Sequence, residues 1–303
     1  MFLGKGEMPT MLYNNLSSHF RKKYGQRLKK ICIDGGFTCP NRDGKCGTGG
    51  CIFCGERGSG EHIDALLSIE EQVLRGLSSG KEDDKFIAYF QNFTNTYADV
   101  STLRKRYDAA LIDDRIVALA IGTRADCIDE EVCKLISEYK NRLDVWVELG
   151  LQTINDETAK RINRGYNTVV FEDAVKMLKR YGIETVAHLM VGLPGENMED
   201  AIKTAEYIAN LGCEGIKIHS VYVMEGTVLA DMYRAGDYTP PTLDEYAETV
   251  AKIISRLPSD MIIHRITGDC PRDMLVAPEW NKDKNKAIAA INQKLSLYKK
   301  DTV

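Results

Sequence analysis

Lys30-Ile-Cys-Ile-Asp-Gly-Gly-Phe-Thr-Cys39-Pro-Asn-Arg-Asp-Gly-Lys-Cys46-Gly-Thr-Gly-Gly-Cys51-Ile-Phe-Cys54 opens as a strand-like run and empties into a loop of glycines and cysteines. The Cys51-x2-Cys54 pair bends the backbone so that both thiolates aim at one small inorganic body. Glycines 44, 47, 49, 50 and 55 let the main chain wrap closely and turn its N–H groups toward sulfur. Cys39, Cys51 and Cys54 are three thiolates, the number that leaves one iron of a [4Fe–4S] cluster open to a substrate; ordinary electron-transfer clusters use all four positions. Cys46, in the same loop, keeps a second reading open, a structural zinc site on Cys39, Cys46, Cys51 and Cys54. The chain has nine cysteines, an odd and scattered set without a secretory signal, so a disulfide framework is not expected.

Outward from this loop, short β-branched runs alternate with amphipathic stretches. The strand candidates are Lys30–Asp34, Phe86–Phe90, Ile116–Ile121, Val145–Leu151, Thr185–Val191 and Gly215–Val223. Between them, helices are expected near Ile69–Ser78, Ser101–Ile112, Glu130–Tyr139, Val169–Tyr181 and Asp200–Leu211. The period switches from two to 3.6 at each step, the mark of repeated βα units and a parallel sheet. At roughly 30 residues per unit, about 190 residues hold six units, so the fold class is α/β, a partial (β/α)6 TIM-like barrel. Ligands of such sheets bind at the carboxyl ends of the strands. The cysteine loop, Gln91-Asn92, Thr123-Arg124, Gly150-Leu-Gln152, Gly192-Leu-Pro-Gly195 and Tyr222 to Gly226 all fall at such ends. After Val223 the pattern changes: a turn at Pro240-Pro241, a helix over Thr242–Leu257, a short seventh strand at Met261–Ile266 and a terminal helix over Ala287–Tyr298. The expected organisation is a basic N-terminal segment (1–29), the barrel (30–235) and a C-terminal extension (236–303) that completes the barrel side.

Composition bounds the partners. At 303 residues with 44% hydrophobic and 28% charged residues, the chain has the make-up of a globular protein. No apolar run approaches the roughly 20 residues that span a bilayer, and the first residues lack the apolar core of a signal peptide, so the cytoplasm is the expected compartment. The net charge of −4 argues against a generally basic nucleic-acid binder. Charge is uneven, however. Arg21 to Lys30 carries six cations and no acid, and the C-terminal stretch adds Lys282, Lys284, Lys286, Lys294, Lys299 and Lys300. Both stretches suit a phosphate backbone, and both equally suit solvated faces of terminal helices.

The chain resembles the radical S-adenosylmethionine (SAM) superfamily, and within it a family of roughly 300-residue bacterial and archaeal proteins related to the radical-SAM half of the Elongator catalytic subunit. The residues that carry the likeness are Asp34-Gly-Gly-Phe-Thr-Cys-Pro-Asn-Arg-Asp-Gly44, Gly49-Gly-Cys-Ile-Phe-Cys54 and Ala88-Tyr-Phe-Gln-Asn-Phe-Thr-Asn-Thr-Tyr-Ala98. Glu148-Leu-Gly-Leu-Gln152, Lys160-Arg-Ile-Asn-Arg-Gly165, His188-Leu-Met-Val-Gly-Leu-Pro-Gly195, Tyr222 to Leu229 and His264-Arg-Ile-Thr-Gly-Asp269 extend it over most of the chain. The resemblance implies an enzyme with a [4Fe–4S] cluster on Cys39, Cys51 and Cys54, where SAM chelates the fourth iron and is cleaved reductively to a 5′-deoxyadenosyl radical. It also implies an electron donor such as flavodoxin or ferredoxin. By position, the backbone at Phe53 meets adenine, Gln152 and His188 contact ribose, and Arg164 pairs with the SAM carboxylate. Glu148 takes the SAM amino group or the ribose, and Tyr222 joins the cofactor-binding set. The bland alternatives are a helix cap for Arg164 and a satisfied core histidine for His188.

The chain departs from the superfamily pattern in three places. Its spacing is Cys-x11-Cys-x2-Cys rather than the common Cys-x3-Cys-x2-Cys. Phe90-Gln91-Asn92 replaces a glycine-rich motif, and Gly122 stands where many relatives have Glu, which leaves Gln91 or Glu148 as acceptor for the SAM amino group. No acetyltransferase half follows, so acetyl-CoA chemistry is not expected. The resemblance implies tRNA, at a wobble uridine, as substrate, with charge reversal at Arg21, Lys22 and Lys23 expected to weaken binding in a salt-dependent way. The rival readings are a radical SAM oxidoreductase on a small metabolite or peptide, and a non-catalytic zinc-stabilised binding protein. Cys32, Cys127, Cys133 and Cys213 read as inert thiols and Cys46 as a bystander, while Cys270, His264 and Arg265 fall near the substrate side.

Overall fold

The computed structural model describes residues 12–58, 63 and 66–300. Seven parallel strands form one curled sheet in sequence order: β1 (Lys29–Ile33), β2 (Phe86–Phe90), β3 (Ile116–Thr123), β4 (Asp144–Gln152), β5 (Glu184–Val191), β6 (Gly215–Ser220) and β8 (Ile262–Arg265). The expected seventh strand is therefore present, pairing with β6 through Gly215–Ile262 and Ile216–Ile263. The run expected to continue to Val223 divides, because Val223–Met224 (β7) leaves the sheet and pairs antiparallel with β9 (Leu275–Ala277).

The helices are α1 (Leu16–Tyr24), α2 (Ile69–Ser78), α3 (Val100–Ala109), α4 (Glu130–Tyr139), α5 (Asp156–Arg161), α6 (Thr168–Arg180), α7 (Met198–Leu211), α8 (Val228–Ala235), α9 (Leu243–Arg256) and α10 (Lys284–Lys300). Local chemistry starts several of them where the hydrophobic period begins: Ser68, Asn197 and Thr242 each form a reciprocal capping box with the acidic residue three positions on. Alternation sends one set of strand residues outward. Ile33, Phe90, Leu119, Ile121, Val147, Leu149, Ala187, Leu189, Ile216 and Ile218 pack against the helices as the main core.

The other set faces the concave side. There Ile87, Tyr89, Ala118, Ala120, Trp146 and Val186 receive Phe20 of α1, with Leu16, Tyr24 and Leu28 beside it. Helix α1 therefore fills the barrel at the amino ends of the strands and packs its apolar stripe into the core. Lys23 pairs with Asp144 at the start of β4, and the Tyr24 hydroxyl donates to the same carboxylate at 2.8 Å. Arg21, Lys22 and Lys23 thus lie on the element that closes the end of the barrel opposite the cysteine loop.

Candidate active site

At the carboxyl ends of β1 to β5, Cys39, Cys51 and Cys54 line one cavity of about 160 Å3. Phe53, Gln91, Glu148, Gln152, Arg164 and His188 line the same cavity, so six of the seven expected cofactor contacts share it with the three thiols. Tyr222 does not. It lines an adjoining cavity of about 670 Å3, whose wall includes Tyr89, Gln91 and His188 in common with the first.

The cysteine loop is held from below by Ile52, buried among Ile162, Leu193, Val221, Leu229 and Ala277. Its N–H donates to Ile162 O at 3.1 Å, and its carbonyl accepts from the Leu229 N–H at the start of α8 at 2.9 Å. From the side, the Asn41 amide donates to Asn163 O at 2.6 Å and approaches Cys51 Sγ at 4.0 Å, while the Asn163 amide donates to Gly50 O at 2.7 Å. Arg42 donates to Cys54 O at 3.1 Å and to Gly55 O. A hydrogen bond between Cys51 and Cys54 raises the first thiol and lowers the second, with Arg42 and Arg124 also favouring the thiolate of Cys54. These donors suit deprotonated sulfur. Among the described residues no three Cys, His, Asp or Glu side chains converge closely enough to ligate a single ion, whereas a four-iron cluster binds each thiolate at a different corner. Cys46 is exposed and outside the cavity wall, its sulfur 3.6 Å from Arg124 Nη2 and 3.9 Å from Asp126. The residues fit the three-thiolate cluster better than the four-thiolate zinc site.

Glu148 is the electrostatic centre of the inner wall. Its buried carboxylate accepts from Tyr89 Oη at 2.8 Å, His188 Nε2 at 3.0 Å and Trp146 Nε1 at 3.1 Å, and forms an ion pair with Lys217. Burial alone would raise its pKa; Lys217, His188 and Lys30 outweigh that and hold it well below the usual carboxylate range. Burial also pulls Lys217 down to about 7, although Glu148 opposes the shift. His188 is likewise lowered by burial, against the pull of its bond to Glu148, which leaves a neutral imidazole at pH 7. Strand alternation explains this meeting: Tyr89, Glu148, His188 and Lys217 are all concave-side positions on neighbouring strands.

Arg164 is 1% exposed, and all five of its N–H groups are engaged within the protein. Nε donates to Tyr166 O at 2.8 Å, Nη1 to Leu151 O at 2.5 Å and Thr153 O at 2.7 Å, and Nη2 to Asp156 at 3.2 Å and Thr168 at 3.5 Å. The guanidinium that the resemblance pairs with the SAM carboxylate lines the cavity and braces the turn after β4. That turn is strained: Gln152 has φ +62°, and a β-bulge separates Gly150 from Gln152 opposite β5. A Cβ at Gly150 would lie 2.5 Å from the Gln152 side-chain amide, which would have to shift to admit it. Phe93 (φ +58°) also lines the cavity, and Asn163 (φ +54°) holds the cysteine loop. The three left-handed non-glycine residues of the described chain thus surround one site.

Sequence reasoning gave no role to Tyr89, Arg124, Trp146 or Lys217. It quoted Asn92-Phe-Thr-Asn95-Thr96 without roles, and the structure supplies them. Asn92 donates to Asp34 at 2.7 Å and Asn95 to Gly122 O at 2.7 Å, while Thr96 shares a 2.7 Å bond with Thr123. The motif is the buried polar stitching that joins the ends of β1, β2 and β3. Gly122 lines the site, where a Cβ would lie 3.1 Å from Phe90 O. His264 and Arg265 line the larger cavity; Cys270 lies outside it, in an adjoining groove.

Comparison with known proteins agrees with this arrangement. Residues 42–208 match the radical SAM superfamily, and residues 213–296 match the radical SAM C-terminal domain. The uncharacterized protein YtqA of Bacillus subtilis is 37% identical over 287 residues, covering 93% of this chain and 89% of YtqA. A tRNA uridine(34) acetyltransferase of Methanocaldococcus jannaschii is 33% identical over 168 residues, 54% of this chain and 30% of that protein. The archaeal Elp3 structure from Methanocaldococcus infernus shares the fold, with a TM-score of 0.64 at 22% identity, covering 88% of this chain and 63% of that one. No helix among the described residues is long and apolar enough to cross a membrane. The chain belongs to the radical SAM superfamily, whose members are enzymes that use a [4Fe–4S] cluster and SAM.

Proposed function

We propose that this enzyme modifies a uridine of tRNA at the wobble position by hydrogen abstraction. The observation that carries the reading is the nucleotide-sized cavity of about 670 Å3 that shares Tyr89, Gln91 and His188 with the cysteine-lined pocket. A base turned out of its stack fits such a space. The partial similarity to tRNA uridine(34) acetyltransferases supports the choice of RNA.

The cofactors supply reductive cleavage of SAM and a 5′-deoxyadenosyl radical. Cys39, Cys51 and Cys54 would hold the cluster, with Phe53, Gln91, Gln152 and His188 against SAM. Glu148 keeps His188 and Tyr89 in place between the two cavities, and Arg164 braces the turn that presents Gln152. A reduced electron carrier such as a flavodoxin or ferredoxin is the expected partner.

The basic segments divide under this reading. Arg21 to Lys23 lie on the closing helix at the far end of the barrel, while Lys284 lines the large cavity, and Arg272 and Lys282 line the groove next to it. The phosphate contacts are assigned to this C-terminal lip, and charge reversal at Arg272 and Lys282 is expected to weaken tRNA binding with a reduced salt slope. A second reading, a small-metabolite oxidoreductase, is favoured by the placement of Arg21 to Lys23 alone.

Mass analysis of tRNA nucleosides from deletion and wild-type cells tests the reading, together with 5′-deoxyadenosine release by the reduced, reconstituted protein. Loss of a wobble-uridine derivative is expected. An unchanged nucleoside profile with SAM cleavage intact would move the assignment to the small metabolite, and no 5′-deoxyadenosine would overturn the radical reading.

A further inference from the structure

The larger cavity has an uneven charge inventory. Lys30, Lys217, Arg265 and Lys284 line it. Two carboxylates answer them. Asp269 pairs with Arg265 at 2.7 Å and Lys284 at 3.4 Å, and Glu148, behind the wall, pairs with Lys217. Lys30 is left over. Its ammonium lies 5.4 Å from the centre of the Tyr89 ring, and no carboxylate among the described residues is within ion-pair distance of it. Strand alternation puts Lys30 on the concave side of β1, where its side chain is open to solvent within the cavity and available to an incoming anion.

On the same wall two imidazoles each have one ring nitrogen without a partner. His219 Nε2 and His264 Nδ1 are both buried without a hydrogen-bond partner among the described residues. Both rings line the cavity, His219 tilted against His188 with ring centres 5.1 Å apart and His264 set edge-on 5.7 Å from Trp146. An unanswered cation and two unanswered ring nitrogens on one cavity wall form a binding site for a group that is anionic and rich in acceptors.

We propose that the substrate carries a carboxylate or phosphate that docks against Lys30, with His219 and His264 bonding to its polar atoms. This rests on the radical SAM reading of the adjoining pocket and names the substrate's chemistry. Arg265 and Lys284 contribute less because they share the single carboxylate of Asp269. The charged group of the substrate is placed at the Lys30 end, and Gln91 and His188 lie on the wall shared with the cysteine-lined cavity.

The test uses the reconstituted protein with SAM and three probes titrated calorimetrically: uridine, uridine 5′-monophosphate and orotate. At least one charged probe is expected to bind tenfold or more tightly than uridine. Preference for the monophosphate assigns the anion to a nucleotide phosphate; preference for orotate assigns it to a carboxylate on the ring. Lys30→Met is expected to abolish the preference and Lys30→Arg to retain it, while Arg265→Gln reduces it by a smaller factor. Thermal melts of each variant separate loss of fold from loss of recognition, and Lys30→Gln replaces the methionine variant if that one does not fold. Equal binding of all three probes, or a preference untouched by Lys30→Met, overturns the inference. Release of 5′-deoxyadenosine by the wild-type protein reports separately on the radical reading, so either can fail alone.

Discussion

Replacing Glu148 by Gln keeps the shape of the side chain and removes the charge that Lys217, His188, Tyr89 and Trp146 converge on. The new amide turns an N–H toward a set of donors and strands an ammonium that is only 3% exposed. Breaking one partner of a buried ion pair costs about 3–5 kcal/mol. At roughly 2 °C per kcal/mol for a chain of this size, the melting temperature should fall by about 6–10 °C. Lys217→Met should cost less, because the carboxylate keeps three donors. The double variant should recover a coupling of about 2 kcal/mol or more. The cycle is best run near pH 6, roughly a unit below the value of about 7 to which Lys217 is pulled and well above that of Glu148, so that both are ionised. Between pH 7 and about 10 the unfolded chain holds a proton that the folded lysine has released, so this group's contribution to stability rises with pH in that window. Lys217→Met should flatten that rise, and the measured coupling should shrink near pH 9. Thermal unfolding followed by circular dichroism at the two pH values supplies every number. A shift under about 2 °C for Glu148→Gln, or strictly additive variants, would refute the hub.

Cys51→Ser should abolish the thiolate–iron absorption near ~400 nm after anaerobic reconstitution, whereas Cys46→Ser should retain it; loss in both would make Cys46 a ligand. Arg164→Lys replaces five fixed donors by three mobile ones. Calorimetry and thermal melts should show weaker SAM binding and a stability loss of about 2–3 kcal/mol, while a loss of SAM affinity without any destabilisation would indicate direct pairing with the SAM carboxylate. Gln152→Gly relieves a left-handed φ and should leave stability unchanged or raise it by up to about 1 kcal/mol while weakening SAM binding; a clear destabilisation would show that the side chain, not the backbone, supports the turn.

The sheet was legible because its strands announce themselves twice, by β-branched composition and by the polar motif that ends each one. Phe86–Phe90 and Ile69–Ser78 agree with the structure to the residue. Helix α1 escaped because its apolar contacts, Leu16, Phe20 and Tyr24, make a single narrow stripe among Arg and Lys. Helix α5, Asp156–Arg161, has only six residues and no large apolar one, so periodicity has nothing to register. The thiol ligands and most of their neighbours could be placed from strand ends alone. Lys217 and His219 could not. In Gly215–Ser220 they alternate with buried isoleucines just as solvent-facing residues would, and only the curl of the sheet turns that face into a cavity wall. For Arg164 the residue type was informative: a buried guanidinium signals fixed acceptors, and here they include three main-chain carbonyls, those of Leu151, Thr153 and Tyr166.

The stopper that α1 makes in the concave side bears on how the chain can be cut. A protein shortened to begin at Lys29 would keep all seven strands and all three cluster cysteines, and would look intact on paper. It would also uncover Ile87, Ala118, Ala120, Trp146 and Val186 from below, leaving a half-barrel open at both ends. Solvent could then reach the inner wall from the side away from substrate, where a carbon radical needs dry surroundings. Helix α1 is thus the floor of the reaction vessel, and trimming it should shorten the life of what forms inside it.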